Sequence, residues 1–119
     1  MQDPKIQKNP FIVPTNDKKL IEEHFGQASI GGDKISIAHM IAPPNWSEPF
    51  QNPDFDEHTL MVRGNLKIEV NNKQFEITKG ESILVYKGSR VQYFNPFKES
   101  AEYWSICSPA FSIKLANRE

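Results

Sequence analysis

A single cysteine, Cys107, is present in the 119 residues, so no internal disulfide holds the fold and its stability must come from packing. No run of 18 apolar residues occurs anywhere, which excludes a transmembrane helix on sequence grounds. The opening MQDPKIQKNPFIVP has no apolar stretch long enough for a signal peptide, and a cytoplasmic protein is expected. Neither sign of charge is in excess, with 14 basic against 15 acidic side chains. Recognition of nucleic acid through its phosphates would require a basic stripe, and none is present. Glycine-rich phosphate loops, serine-centred elbow motifs, internal repeats and low-complexity segments are also missing. The expectation is one domain, long enough to bury roughly two-thirds of its unfolded surface, with neither a nucleic-acid nor a membrane partner.

What the chain does have is punctuation: nine prolines and six glycines fall between short apolar segments. Residues 1–16, with Pro4, Pro10 and Pro14, read as an extended arm lying across a sheet edge, and 17–119 as the domain. NDKKLIEEHFGQA, with Leu20, Ile21 and Phe25 at weak helical spacing and Asn16 or Asp17 as cap, reads as one or two helical turns or an irregular loop. Strand-like alternation begins at Lys34. KISIAHMIA sets Ile35, Ile37, His39 and Ile41 on one face and Ser36, Ala38 and Met40 on the other. FDEHTLMVRG, NLKIEV, QFEI, ESILVYKG, RVQYF and AEYWSICS follow, with hairpin turns expected at Gly64-Asn65 and Asn71-Asn72. Seven or eight short strands without a long helix argue for an all-β barrel or sandwich.

Two stretches carry a family resemblance. GESILVYKGSRVQYFN keeps the spacing of the second cupin motif: Gly80 and Gly88 hold its glycine places and Asn95 its closing asparagine, while Tyr86 stands at the proline and Val91 at the histidine. In PFQNPDFDEHTLMVRG, Glu57 and Gly64 keep the spacing of the first motif, but its histidine places fall on Gln51 and Pro53, or on Phe50 and Asn52. The chain therefore resembles the cupin superfamily, which implies a double-stranded β-helix (an RmlC-like jelly roll). The approach APPNWSEPFQNPDFDE and the later CSPAFS look like a branch of small single-domain cupins, distantly similar to ethanolamine-utilisation cupins.

Cupins usually hold Fe, Mn, Ni or Zn with imidazoles and a carboxylate, and an amide oxygen is a poor substitute. With no histidine at the expected places, the resemblance implies no resident metal here. His58 neighbours Glu57, so strand alternation sends it to the opposite face, and His24 and His39 have no readable ligand spacing. The other reading is an atypical divalent site built from Glu48, Gln51, Glu57 and a displaced histidine. Cys107 reads as a small buried apolar residue. If Glu57 points inward, as the resemblance implies, the residues expected to line a small-molecule pocket are Trp46, Glu48, Gln51, Glu57, Met61 and Tyr93. The leading expectation is a binder of a small polar or carboxylated metabolite. The alternative is a divergent enzyme (isomerase, lyase or dioxygenase) using Glu57 as acid/base, and a purely structural role is a third reading. The family analogy also implies a homodimer paired through a sheet face, with the arm suited to exchange between subunits.

Overall fold

The computed structural model describes residues 2–119. Among the described residues are β1 (Phe11–Ile12), β2 (Leu20–Phe25), β3 (Ser36–Ala42), β4 (Trp46–Ser47), β5 (Asp56–Arg63), β6 (Asn65–Val70), β7 (Lys73–Thr78), β8 (Ser82–Val85), β9 (Val91–Asn95), β10 (Ala101–Ser108) and the short helix α1 (Ile113–Ala116). Two sheets face each other. The larger runs β1-β2-β3-β10-β5-β8 and the smaller β4-β9-β6-β7. All pairings are antiparallel. The fold is the all-β jelly-roll barrel expected from the motifs.

Alternation assigns the inward face. Thr59 and Met61 on β5, Val91 and Tyr93 on β9, and Tyr103, Ser105 and Cys107 on β10 are all buried. Their odd-numbered register leaves His58, Leu60 and Val62 outside, as alternation requires. The main core joins Trp46, Met61, Leu66, Ile68, Ile77, Val85, Val91, Tyr93 and Tyr103 across the two sheets. Burying a side chain such as Leu66 or Ile68, each fully shielded, contributes roughly 2 kcal/mol. A smaller cluster of Phe55, Cys107 and Ala116, with Phe111 and Leu115, docks α1 against one end. No helix among the described residues is long and apolar enough to cross a membrane.

Three local expectations are corrected. Leu20–Phe25 is a strand rather than helical turns or a loop, because both its edges are paired: Leu20 lies opposite Ile41 on β3, and Glu23 opposite Phe11 on β1. Gly64-Asn65 does not close a hairpin. It carries the chain from the larger sheet (β5) into the smaller (β6), which pairs instead with β7 and β9. Ten strands form among the described residues rather than seven or eight, the difference coming from β2 and from the two-residue β1 and β4. The β6–β7 hairpin does form as expected, with Asn71 and Asn72 at φ 48 and 70, the pair of left-handed residues that a tight hairpin turn requires. The arm runs along its own chain's sheet edge: besides β1, the Val13 N–H donates to the Ile21 carbonyl at 2.9 Å.

On the outer face of the larger sheet, His39 lies between two carboxylates. Its Nδ1 is 2.8 Å from Glu22 Oε1 and its Nε2 2.7 Å from Glu102 Oε2. Carboxylates only accept, so the two bonds form together only when both ring nitrogens carry hydrogen, which favours the imidazolium. Partial burial pulls the pKa of His39 down, but the two hydrogen bonds outweigh it and hold the value above 6.5. Arg63 Nε in turn bonds Glu102 at 3.3 Å, and the rings of His24 and His39 both pack on Trp104. A raised histidine pKa stabilises the fold fully below pH 6.5, and that contribution is lost as pH rises through the folded-state value. Titrating the His39 ring by NMR should therefore give a midpoint above 6.5 that falls in both Glu22→Gln and Glu102→Gln; a midpoint unaffected by either change contradicts the bridge.

Candidate functional site

The two motifs meet through their main chains. The Gln51 N–H donates to the Val91 carbonyl at 2.9 Å, and the Val91 N–H returns a bond to Gln51 at 2.8 Å. Two places at which the resemblance would put histidines are thus direct neighbours, one now an amide and the other an alkyl group. Glu57 comes from the inward face of β5 and accepts from Ser105 Oγ of β10 at 2.5 Å. Burial raises the pKa of the Glu57 carboxyl, opposed by the Ser105 bond and by Lys19. The Tyr93 hydroxyl faces Glu57 and also opposes the rise, at a separation just beyond strict hydrogen-bond geometry.

Lys19 is the residue that sequence reasoning missed. It is 8% exposed, and its Nζ lies 4.1 Å from the Trp46 ring centroid and 5.2 Å from that of Tyr103. A self-tied turn sends it inward. Thr15 Oγ1 donates to the Lys19 carbonyl at 2.7 Å, the Lys19 N–H donates to Asp17 Oδ1 at 3.1 Å, and Lys18 between them takes a φ of 67. Asp17 Oδ2 accepts from Trp46 Nε1 at 2.8 Å, locking the turn to the barrel wall. Burial lowers the pKa of the Lys19 ammonium, against the pull of Glu48 and Glu57. Burial likewise raises Glu48 to about 7, in spite of Lys19. Lys18-Lys19 reads as a solvated pair in the sequence; only the strand character of the following residues shows that alternation turns one of the two inward.

The C-terminal segment closes the approach loop. Asp54 N–H bonds the Leu115 carbonyl at 2.8 Å, Glu119 N–H bonds the Phe50 carbonyl at 2.9 Å, and Arg118 bridges to Gln51. The charge of Arg118 also bears on Lys19, Glu48 and Glu57. Four buried polar atoms around this interior have no partner within strict hydrogen-bond geometry among the described residues: Gln51 Oε1, Thr59 Oγ1, Tyr93 OH and Tyr103 OH. Left dry, each costs about 1–3 kcal/mol, so such a set is a feature to be explained rather than an accident of packing.

Of the six expected lining residues, Trp46, Met61 and Tyr93 belong to the main core cluster. The Glu48 and Glu57 carboxyls lie close enough to Lys19 to affect its ionisation, and the buried Gln51 joins the strand of Val91. Thr59, inward with Glu57 and Met61 as alternation expects, completes the interior together with Tyr103 and Ser105, neither of which was among the expected site residues. His24 and His39 pack on Trp104 outside the barrel, and His58 is exposed. The donors do not fit the usual cupin metal site. Val91 offers none, and among the described residues no group of three or more His, Cys, Asp or Glu is placed to hold an ion. Two open recesses lie outside the barrel. One, of about 590 Å³, runs beside the arm at Gln7, Phe11, Ile12 and Ile30; the other, of about 280 Å³, lies at Asn45, Trp46, Ser47, Phe94, Asn95 and Pro96, and so reaches one of the expected lining residues, Trp46.

No family model matches the sequence. A curated protein of Myxococcus xanthus (strain DK1622), named Endoribonuclease YbeY, is 44% identical over 108 residues; these are 91% of this chain but 37% of that protein's length. Among solved structures, the cupin domain of Schizosaccharomyces pombe Cnp3 is similar at a TM-score of 0.69, with 14% identity over 82% of this chain and 69% of that one. A putative ethanolamine utilization protein EutQ from Salmonella typhimurium is similar at a TM-score of 0.66, with 17% identity over 78% of this chain and 71% of that one. At such identities the structural likeness concerns the fold, and with the two motifs and the barrel it leads to one conclusion: this chain has the double-stranded β-helix fold of the cupin superfamily.

Proposed function

We propose that this cupin binds a small polar or carboxylated metabolite inside its barrel, in the cytoplasm and without the usual histidine-held metal. The observation that carries the reading is the set of four unpartnered buried polar atoms grouped with Lys19, Glu48 and Glu57. Lys19 and the tyrosine hydroxyls suit a carboxylate or carbonyl oxygen, while Gln51 Oε1 and the glutamates suit a hydroxyl or ammonium group. A ligand present at 100 times its Kd should stabilise the protein by about 2.7 kcal/mol. A thermal-shift screen of small hydroxy acids, dicarboxylic acids and amino alcohols should find such a compound, with the shift lost in Glu57→Gln and Gln51→Ala. A high-resolution crystal structure with all four atoms bridged by water in a sealed barrel, together with an empty screen, would overturn the proposal and favour a structural role. Stoichiometric Fe, Mn, Ni or Zn in untagged protein would overturn its metal-free part.

A second reading, catalysis with Glu57 as acid/base, is favoured by the raised pKa of Glu57 beside that of Glu48 at about 7, the range in which a carboxyl exchanges protons at neutral pH. The ribonuclease name belongs to a protein of which this chain spans 37%, and the barrel interior supports the small-molecule reading more directly. Cleavage of a labelled RNA by the purified chain would favour the nuclease. The reading also includes a homodimer through the outer face of the larger sheet, where Leu60, Val62 and Leu84 are exposed. Light scattering should give twice the chain mass, and deletion of residues 1–14 tests the arm's share.

A further inference from the structure

We propose that Lys19 is a nucleophilic amine that forms an imine with a small carbonyl compound admitted to the barrel. The proposal rests on the interior being a binding site and adds the chemistry that happens there. Lysine is almost never fully buried unless paired. Lys19 is nearly so, and among the described residues its Nζ takes part in no ion pair and no hydrogen bond, resting instead on the faces of Trp46 and Tyr103. Desolvation favours the free amine, the activated form of this nucleophile, over the ammonium that the Trp46 and Tyr103 ring faces and the charges of Glu48 and Glu57 favour. Its depressed pKa agrees with that geometry.

The neighbouring groups supply the remaining requirements. The buried Tyr103 hydroxyl has no acceptor among the described residues, and the Tyr93 hydroxyl faces only the Glu57 carboxyl; a carbonyl oxygen accepts from such donors. Glu48 is held beside Tyr93, its N–H donating to the Tyr93 carbonyl at 3.4 Å, and its carboxyl, raised by burial to about 7, is suited to give and take a proton near neutrality. In the addition step the Lys19 lone pair forms the C–N bond and the carbonyl π electrons move to oxygen. That oxygen takes a proton from the Glu48 carboxyl, and the nitrogen returns one to the carboxylate, giving the carbinolamine. In the loss step Glu48 protonates the hydroxyl, and the C–O bond breaks to release water while the nitrogen lone pair forms C=N. The iminium proton goes back to Glu48. The sum is amine plus carbonyl giving imine plus water, with Glu48 regenerated and no redox partner needed.

The test is reductive trapping on the full chain. Pyruvate followed by sodium borohydride at neutral pH should add the mass of pyruvate less one oxygen, and peptide mapping should place the adduct on Lys19, with exposed Lys18 unlabelled as the internal control. Lys19→Arg should lose the adduct and Glu48→Gln should slow its formation. The wild-type map decides the matter even if a variant fails to fold. Lactate, which has the same carboxylate and no carbonyl, separates the two layers by thermal shift. Stabilisation by lactate with adducts confined to exposed lysines overturns the imine and leaves the pocket standing. Neither stabilisation nor a Lys19 adduct overturns both.

Discussion

Gly64→Ala should destabilise the protein by about 3 kcal/mol or more, whereas Gly80→Ala and Gly88→Ala should each cost only about 1–2 kcal/mol. All three glycines hold cupin motif places and all have positive φ, at 78, 83 and 85. They differ in what a methyl group would meet. A Cβ on Gly64 would run into the Ser100 carbonyl oxygen, with Ala101 Cα at 3.2 Å and the Ser100 carbonyl carbon at 3.3 Å behind it. Every one of these atoms is backbone, so no rotamer change relieves the overlap. The corner where the chain passes between the sheets, or the start of β10, would have to move. Nothing lies within 4 Å of a Cβ built on Gly80 or Gly88, so only the left-handed backbone opposes a side chain there. Urea unfolding of the three variants measures the contrast. Equal losses at all three positions would show that Gly64 is retained for its dihedral angle alone.

The legible parts of the sequence were those in which one residue type has one physical use. Asn95 closes the second motif because its fully buried amide ties three strands' ends together: Nδ2 donates to the carbonyls of Ala42, Pro43 and Glu99 at 3.3, 3.1 and 2.8 Å, and Oδ1 accepts from the Phe97 N–H at 3.1 Å. Period-two alternation likewise put His58 outside and Thr59 and Met61 inside. The illegible part was β2, whose sequence LIEEHF breaks the equation of polar with exposed. Glu22 faces out to His39, while Glu23 is 6% exposed and satisfied by the Ala28 N–H at 2.9 Å. A strand carrying its polar groups on both faces shows no hydrophobic period, so Lys19, the residue before it, could not be assigned to the interior. Gly64-Asn65 failed for another reason. A turn dipeptide marks a change of direction, but which sheet receives the next strand is decided by long-range pairing of β6 with β9. The candidate site was thus readable as positions on a motif and unreadable as partners.

Glu48→Gln should make the protein more stable above neutral pH, by up to roughly 3 kcal/mol, and leave its stability at pH 4.5 nearly unchanged. Unfolded, Glu48 gives up its proton near 4.5; folded, burial holds the proton to about 7. Between those values the native state binds more protons than the unfolded state, so stability falls as pH rises. Glutamine keeps the shape of the neutral acid and cannot ionise. The full gain is an upper limit, because Glu48 also helps to keep Lys19 charged, and that attraction goes with it. Glu57, also raised by burial, weakens the fold over the same rise in pH but is present in both proteins, so the difference between them is what reports Glu48. Glu102 beside His39 and Glu119 beside Arg90 sit below their ordinary 4.5, so their contributions fade only in stronger acid. His39 weakens the fold as pH rises, but equally in wild type and variant. Urea midpoints at pH 4.5 and 8 for the two proteins give the difference directly, and an equal difference at both pH values would mean that Glu48 is hydrated at an open mouth. The same reasoning reaches the ligand. A carboxylate that is unfavourable in the unliganded barrel is one that a bound ammonium or hydroxyl can satisfy. A ligand supplying that donor should therefore stabilise wild type more than Glu48→Gln at pH 8, and by a similar amount at pH 4.5.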